Sequence, residues 1–470
     1  MDVYIHRLAG LVGLLFGVNV CGVGCGSISD DDATDAADAS DAAVSVEEEA
    51  PDGPIGTLDP TPCDNEIPAS ECDDSKQPIV FIHGTFGSAT EISKTALRFG
   101  SNGYCQDRFV AVEYNSLGGS PGEQLAALVD EVLERTGFEQ VDLIAHSQGT
   151  GHACTYLGNE VNRAKVARYI NVSGGCAGAG IPTLSLSSTN DLNAPEPSHA
   201  AGDNVTQVTL TEEDHVALAG SELAFVEMYR FLMEEEPEYT TVQCGSETVV
   251  LDGKAVTFAD NEPNAGAILD VFEVDTLDEP WERGEPITTV VADENGHVHV
   301  ELTRGVQYEF RGRDEAGVVS GYIYYAPFTR SDYLMRFISE SDSPLITSIS
   351  TDNVVRAPDH MGLVGRYRGG AFRADWNNSL TFDGEEVLTE DNAGRNASVV
   401  GLFMYDANLN GDSDLGMVDN TSFLYMTDVV VDSTTPRWVD VQWTNEDMDT
   451  VQLRIPNWPS SENLTSLVLP

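Results

Sequence analysis

The first half of the chain alternates short, mostly apolar runs with segments whose apolar residues recur at helical spacing. Short apolar runs bounded by turn residues predict buried strands, and apolar residues at i, i+3 and i+4 predict amphipathic helices. The predicted strands are 77–82, 109–114, 141–144, 181–186 and 204–210, and the predicted helices include 151–157 and 216–233. Because strands alternate with helices, this half predicts an α/β domain with a mostly parallel sheet.

The second half follows a period of two, with short alternating runs separated by turns rich in Gly, Asp and Pro. The runs are 248–251, 268–274, 287–292, 297–302, 307–310, 398–405, 422–431, 438–443 and 451–455. A helical period occurs only around 333–338. Many short strands with frequent turn signals predict an all-β region, either a barrel or a sandwich.

Length and pattern together divide the chain. Its 470 residues exceed one ordinary core. The predicted parts are a signal segment at 1–25, an acidic linker at 26–76, an α/β domain at 77–238, a β module at 239–345 and a second part of the β region at 346–470. We interpret the last part as an accessory domain that binds substrate.

The most specific chemical signal is Ala145-His146-Ser147-Gln148-Gly149, which follows the buried-strand run 141–144 and precedes a helix. A serine at the apex of a sharp strand-to-helix turn is typical of a nucleophile elbow with the pattern G-x-S-x-G. Ala145 replaces the first glycine but is small enough for the same close approach. The alternative is a plain strand-to-helix turn without a chemical role.

A nucleophilic serine needs a base and an acid that orients the base. In sheets of this kind the order along the chain is serine, acid, histidine. Asp191 follows the strand 181–186 and His215 follows the strand 204–210, so they are the predicted acid and base. The competing residues are His146, His152 and His199 for the base, and Asp203 and Asp214, interpreted as solvated loop charges, for the acid.

The first strand breaks into the loop His83-Gly84-Thr85-Phe86-Gly87. Negative charge that develops on a carbonyl oxygen needs fixed N–H donors, one from the residue after the nucleophile and one from an early loop of this kind. The predicted oxyanion donors are therefore the backbone N–H groups of Gln148 and Thr85, with Phe86 as the alternative in the loop.

Charge narrows the classes of partner. The chain has 78 acidic and 24 basic residues, a net charge of −54, and only four lysines. This balance excludes nucleic acid and anionic lipid as electrostatically favoured partners. It also suits a high-salt environment, in which screening removes self-repulsion.

The N-terminal sequence predicts export. Residues 8–20 form an apolar run of signal-peptide length, and small residues precede Cys25, as in a lipoprotein processing site. Cys21 is the other candidate for lipidation. No Lys or Arg occurs from 8 to 75, and 29–59 is rich in Ala, Asp and Glu, which predicts a disordered tether. We expect an extracellular or cell-surface protein, with a lipid anchor at Cys25 as one alternative.

Six cysteines remain beyond the signal segment, and in an exported chain an even number favours disulfides. Cys63 and Cys72 are close in sequence and are the one pair that spacing suggests. Cys154 and Cys176 are either paired or buried thiols.

One loop has the spacing of a calcium site. Side-chain oxygens recur on alternate residues at Asp406, Asn408, Asn410, Asp412 and Asp414, with a glycine at 411 where such loops turn. The twelfth position is Met417, so the bidentate glutamate of an EF-hand is missing. A calcium site and a solvated acidic turn both stay open, and no cofactor is predicted to be required.

At this point a family resemblance can be stated. Five stretches, 81–84, 145–149, 308–310, 324–332 and 412–415, resemble the two-domain archaeal lipase of the Archaeoglobus type, and the similarity extends from about 77 to the C-terminus. The resemblance implies an α/β-hydrolase domain that cleaves esters and a C-terminal β-barrel that helps to bind lipid. The chain departs from the family in having only 115–122 where the family has a long helical lid. It also has Ser173 at the end of the strand from which family members draw the acid.

Together these features predict a serine carboxylic ester hydrolase that acts on lipid-like or polymeric acyl esters. Ser147 would attack the carbonyl, His215 would move the proton, Asp191 would orient His215, and Thr85 and Gln148 would hold the oxyanion. The alternatives are an extracellular polyester depolymerase and a non-catalytic surface-binding lipoprotein. The sequence leaves acyl-chain preference and oligomeric state open.

Overall fold

The computed structural model describes residues 67, 72–194, 200–394, 398–421, 423–446 and 448–470. These residues belong to one structural unit, Ile55–Pro470. The predicted signal segment, Cys25, His199 and nearly all of the predicted linker lie outside the described residues. Within the described part, no helix has the length and apolar character needed to cross a membrane.

The first part of the described chain alternates strands and helices. Its elements are β1 (Ile79–Ile82), α1 (Thr90–Ser101), β2 (Phe109–Val112), α2 (Gly122–Thr136), β3 (Val141–His146), α3 (Gln148–Gly158), α4 (Glu160–Arg163), β4 (Val166–Val172), β5 (Thr183–Ser188), β6 (Val205–Leu210), α5 (Ala217–Gly220) and α6 (Glu222–Met233). Short 3-10 helices cover Gln106–Arg108 and Gly178–Gly180.

All six strands are parallel and form one sheet in the order β2-β1-β3-β4-β5-β6. On one face, Ile79 and Phe81 pack with α1 and α6, and on the other face Val80 and Ile82 pack with α2 and α3. The carboxyl ends of the strands therefore meet at one edge, where α/β sheets place ligands. This arrangement confirms the predicted α/β-hydrolase domain.

The second part is almost entirely β. Its elements are β7 (Thr248–Thr257), β8 (Ile268–Glu273), β9 (Thr288–Val291), β10 (His297–Thr303), β11 (Tyr308–Arg313), β12 (Val319–Tyr325), β13 (Asp332–Ser339), α7 (Pro344–Ser348), β14 (Leu363–Tyr367), β15 (Ser379–Phe382), β16 (Glu385–Glu386), α8 (Glu390–Ala393), β17 (Gly401–Tyr405), β18 (Met417–Thr421), β19 (Leu424–Asp428), β20 (Trp438–Thr444), β21 (Thr450–Pro456) and β22 (Thr465–Leu469). Short 3-10 helices cover Val274–Thr276, Thr351–Asn353 and Ala374–Trp376.

These strands form stacked sheets. A nine-stranded sheet has the order β18-β19-β17-β14-β22-β12-β11-β8-β9. One face packs against the four-stranded sheet β16-β15-β20-β21, around Trp443, and the other packs against the three-stranded sheet β10-β7-β13, around Phe310 and Phe337. The all-β prediction is thus confirmed, and none of the described sheets closes into a barrel, which favours the sandwich alternative.

Two predictions about elements are wrong. The helical period at 333–338 belongs to β13, which pairs in parallel with β7, for example at Phe337 and Ala255. A run this short fits both periods, and pairing with β7 decides between them. The predicted helix 216–233 is divided at Ser221, whose side chain accepts from Ala224 N–H and caps α6.

The predicted Cys63–Cys72 pair is also wrong. Cys72 is bonded to Cys105, with 4.9 Å between the Cα atoms, because a β-bridge between Asp73 and Tyr104 brings their segments together. Cys63 lies outside the described residues. A second disulfide joins Cys154 of α3 to Cys176, and Cys244 is disulfide-bonded as well.

Candidate active site

The turn between β3 and α3 has the geometry of a nucleophile elbow. Ser147 has φ 51° and ψ −121°, a backbone conformation that is unfavourable for a residue other than glycine. A Cβ atom on Gly149 would lie 2.4 Å from the carbonyl oxygen of Ile82, so only glycine fits there. Ala145 is fully buried, and its small side chain is accommodated beside β1. The turn places Ser147 at the carboxyl edge of the sheet.

The structure brings Ser147, His215 and Asp191 into one hydrogen-bonded line. His215 Nε2 lies 2.8 Å from Ser147 Oγ, and His215 Nδ1 lies 2.8 Å from Asp191 Oδ2. His215 comes from the loop between β6 and α5, and Asp191 from the turn after β5. An imidazole held in this way can take the hydroxyl proton while the carboxylate stabilises the resulting charge.

The surroundings keep Asp191 ionised. Burial alone would raise the pKa of Asp191, but the hydrogen bond and charge of His215, together with Ser173, lower this pKa to about 2. Its second oxygen, Oδ1, accepts the backbone N–H groups of Asn193 and Ala194 at 2.9 and 3.0 Å. The carboxylate therefore has a fixed position and a full negative charge at neutral pH.

Ser173, directly after β4, contacts both Asp191 and His215. Its Oγ donates to Asp191 Oδ2 and lies 3.2 Å from His215 Nδ1. The serine hydroxyl thus supports the carboxylate that comes from the next strand of the sheet.

The competing residues have other environments. Asp203 is exposed. The prediction that Asp214 is solvated is wrong, because it is only 2% exposed. Its Oδ1 accepts the N–H groups of Val216 and Ala217 at the start of α5, and its Oδ2 lies 3.6 Å from Arg373. These contacts come from the folded loop and from the β region, and the loop sequence does not reveal them.

The loop after β1 faces the elbow. Thr85 Oγ1 donates to Gln148 Oε1 at 3.1 Å, so the two residues predicted as oxyanion donors are adjacent. The N–H of Phe86 donates to Ser116 Oγ at 2.9 Å. Because the N–H of Phe86 is already bonded, Thr85 is the better candidate for the oxyanion donor in this loop.

Sequence reasoning missed a buried ion pair beside Ser147. His146 Nδ1 bonds to Glu91, and His146 Nε2 lies 2.8 Å from the carbonyl oxygen of His215. Burial would lower the pKa of His146, but the charge of Glu91 raises it above its ordinary value. Burial would raise the pKa of Glu91, yet His146 lowers it. Glu91 also accepts the N–H of Gly84 at 3.0 Å, so the pair joins the base to the loop after β1.

The β region also reaches the site. Asn261, in the turn after β7, donates to the carbonyl oxygens of Gly87 and Tyr114 at 2.9 and 3.0 Å. Phe423, in the turn between β18 and β19, stacks on His215 with 6.2 Å between ring centres. No local motif marks either residue, because their partners lie 147 or more positions away in sequence.

The predicted calcium loop lies between β17 and β18, away from the triad. Asp406 accepts the N–H groups of Asn410 and Gly411, while Asn408 donates to Asp414 and Asp428. Burial, and then the charges of Asp406 and Asp414, raise the pKa of Asp428. Among the residues that the structure describes, no group of three or more His, Cys, Asp or Glu is arranged to hold a metal. The calcium interpretation stays a prediction.

Family comparisons agree with this architecture. Residues 76–179 match the model of the class 2 lipases, and residues 247–342 match the lipase C-terminal domain. Each of these matches covers well under half of the chain, so these two segments are similar to lipase domains. A further C-terminal domain model matches residues 350–470. The class 2 match includes Ser147 and Thr85 but ends before Asp191 and His215.

Solved structures show weaker similarities. The propeptide form of the Bacillus licheniformis lipase BlEst2 is 13% identical, with 84% of this chain and 95% of that chain covered and a TM-score of 0.27. Aspergillus fumigatus lipase B is 14% identical over 37% of this chain, with a TM-score of 0.26, and the match spans only 57% of that lipase. With TM-scores this low, these similarities carry no argument about the site.

Proposed function

We propose that the protein is a serine carboxylic ester hydrolase that works through an acyl-enzyme. The observation that carries the proposal is the position of His215, with one ring nitrogen 2.8 Å from Ser147 Oγ and the other 2.8 Å from Asp191 Oδ2. The class 2 lipase match, which implies a lipid or other ester substrate, supports the same conclusion.

In the first half of the reaction, Ser147 Oγ attacks the ester carbonyl carbon while His215 Nε2 takes the hydroxyl proton. The backbone N–H groups of Gln148 and Thr85 stabilise the oxyanion of the tetrahedral intermediate. Asp191, kept ionised by its lowered pKa, stabilises the imidazolium. When the intermediate collapses, His215 returns the proton to the leaving alcohol and Ser147 keeps the acyl group.

In the second half, water attacks the acyl carbon. His215 takes a proton from this water and then gives it to Ser147 Oγ as the carboxylic acid leaves. The free serine and the neutral imidazole are thereby restored, and no cofactor enters either half.

The apolar surroundings favour an acyl ester as substrate. Phe423 stacks on His215 and belongs to an apolar cluster with Phe86, Leu117 and Ile346. Desolvated apolar side chains beside the nucleophile suit a hydrocarbon chain better than a polar group. Because Phe423 and Ile346 come from the β region, we infer that this region helps to select the substrate.

The test is the turnover of a soluble p-nitrophenyl ester by a Ser147→Ala variant. We expect kcat/KM to fall by at least about 10³-fold, since the variant lacks the nucleophile. A Ser185→Ala variant, which removes a buried hydroxyl of β5 outside the triad, should keep most of its activity. Full turnover by Ser147→Ala, or failure of a fluorophosphonate to label Ser147, would favour a non-catalytic binding protein.

We also propose that the protein is exported and anchored at Cys25. The disulfides Cys72–Cys105 and Cys154–Cys176 support an oxidising compartment. In a native host, metabolic labelling with an alkynyl fatty acid should mark the wild type and not a Cys25→Ala variant. Equal labelling of both would contradict anchoring at this residue.

A further inference from the structure

Arg366 of β14 has few partners among the described residues. Its Nη1 donates to Ser466 Oγ at 2.6 Å, and its guanidinium lies 5.5 Å from the ring centre of Phe258. It forms no ion pair with a carboxylate of the described residues. Burial lowers the pKa of Arg366 to about 10, so the side chain is still protonated at neutral pH.

Other arginines of the β region have more protein partners. Ion pairs join Arg313 to Asp270, Arg336 to Glu113 and Arg368 to Asp332. Arg330 has no carboxylate partner, but it donates to three protein oxygens, on Gln106, Ser101 and Gln243. Arg366 donates to one. Arg366 is partly exposed and lines a cavity, so an anion bound there would supply the partner that the described residues do not.

Arg366 and Ser466 line a cavity of about 430 Å³ between the three-stranded and nine-stranded sheets, which we call the Arg366 cavity. A volume of this size is in the range of small-molecule sites, about 300–1,000 Å³. Its apolar wall is formed by Phe258, Ile323, Phe337, Val364, Phe403 and Leu464. Exposed Asp314, Glu315 and Glu340 lie along its outer part, and Glu340 is paired with Arg356.

The Arg366 cavity is separate from the Ser147 site, since none of its lining residues belongs to the triad or to the loop 83–87. Phe258 connects the two regions. It contacts Arg366 in the cavity and also packs against the apolar cluster that contains Phe86, the residue after Thr85.

We propose that the Arg366 cavity binds a carboxylate with a long hydrocarbon chain. The carboxylate would accept hydrogen bonds from the Arg366 guanidinium and from the Ser466 hydroxyl, and the chain would lie along the apolar wall. An anion supplies the missing counter-charge, and the apolar wall excludes small hydrated anions as the best ligand. A fatty acid has this chemistry and is the product of ester cleavage. That identification rests on the proposed function, whereas the binding itself does not.

Titration calorimetry of the Ser147→Ala protein with sodium decanoate, and separately with 1-decanol, tests the proposal. Binding is measured on Ser147→Ala, which does not turn over esters, so a lack of binding contradicts only the cavity proposal. The proposed hydrolase activity is tested separately by the ester turnover of the wild type. Adding Arg366→Met should weaken decanoate binding by at least about tenfold, because a charge-assisted hydrogen bond is lost. Decanol affinity should change little.

Arg356→Met is the matched control, since Arg356 is paired with Glu340, which lines the cavity. It should leave decanoate affinity within about twofold. Arg366→Lys should recover part of the affinity. The proposal is overturned if decanoate does not bind, if Arg366→Met binds it equally well, or if decanol loses as much affinity as decanoate.

Thermal unfolding gives a second readout. Without ligand, Arg366→Met should melt at the same temperature as its parent or higher, because an unpaired charge has been replaced by an apolar chain. Decanoate should raise the melting temperature of the parent and not that of Arg366→Met. A purely structural Arg366 gives the opposite result, with a lower melting temperature and no effect of decanoate.

Discussion

At the elbow, the residues around Ser147 fix the backbone conformation that exposes its hydroxyl. Ser147 is held at φ 51°, a conformation that costs on the order of 1–3 kcal/mol for a residue with a side chain. Gly149 lies against the carbonyl of Ile82, where no Cβ fits, and Gly84 packs against the Cβ of Ser147. The surrounding packing therefore maintains a strained turn that presents the serine at the sheet edge.

Ser173→Ala is the first prediction at this scale. Ser173 donates to Asp191 and helps to lower the pKa of Asp191. Without this hydrogen bond the pKa of Asp191 should rise, so the His215–Asp191 pair should keep a proton to higher pH and the acid limb of the kcat/KM profile should move to higher pH. At neutral pH we expect kcat to fall by about tenfold or less. Ser185→Ala is the control, and an unshifted acid limb would contradict the role given to Ser173.

The His146–Glu91 pair gives a stability prediction. The pKa of His146 is raised, so its contribution to folding is complete below its ordinary value of 6.5 and is lost as pH rises through the higher folded value. His146→Gln cannot gain or lose this charge. The melting temperature of the wild type should therefore exceed that of His146→Gln most at about pH 6, and the difference should shrink toward pH 10. A difference that does not change with pH would mean that His146 is neutral in the folded protein.

At the scale of elements, strand and helix periods predicted most of the α/β half because most of its strands, unlike β6, are buried on both faces. Asp191 follows β5 and His215 follows β6, at the same edge of the sheet as the elbow. Chain order was therefore enough to select these two residues for the site. Periodicity failed at β13, where a short apolar run fits a helix as well as a strand. The turn that carries Asn261 and the one that carries Phe423 could not be placed, because sequence does not reveal how the β sheets stack on the hydrolase domain.

Asn261→Asp tests whether the β region positions the loop after β1. Asn261 is 5% exposed and donates to Gly87 and Tyr114, and a carboxylate of the same shape would place an acceptor against these two carbonyl oxygens. Because the oxyanion donor Thr85 lies in the restrained loop, we expect kcat on a short soluble ester to fall by about 10- to 100-fold with little change in KM. A loss of that size corresponds to one misplaced donor.

The control for this experiment is Asn264→Asp, since Asn264 bonds to Ser339 within the β region at 3.3 Å. It should lower kcat much less than Asn261→Asp. Loss of thermal stability in Asn261→Asp with an unchanged kcat would assign Asn261 a structural role only.

For the molecule as a whole, the sequence predicts net charge but not which cysteines or charged side chains pair. The disulfides join segments whose pairing depends on the tertiary fold, which is why spacing suggested the wrong partner for Cys72. The ion pair of His146 and the uncompensated Arg366 are likewise results of tertiary packing. Net charge needs no such information, because it is a sum over the sequence.

With a net charge of −54, the compact state should be strained by self-repulsion at low salt. The screening length falls from about 30 Å at 0.01 M salt to about 3 Å at 1 M. We expect the thermal midpoint to rise by several degrees over this range of NaCl, with most of the rise at the lower concentrations. Tetramethylammonium chloride at equal ionic strength should act similarly, and sucrose should not reproduce the early rise. Equal midpoints at 0.01 and 1 M NaCl would show that the acidic surface does not limit stability.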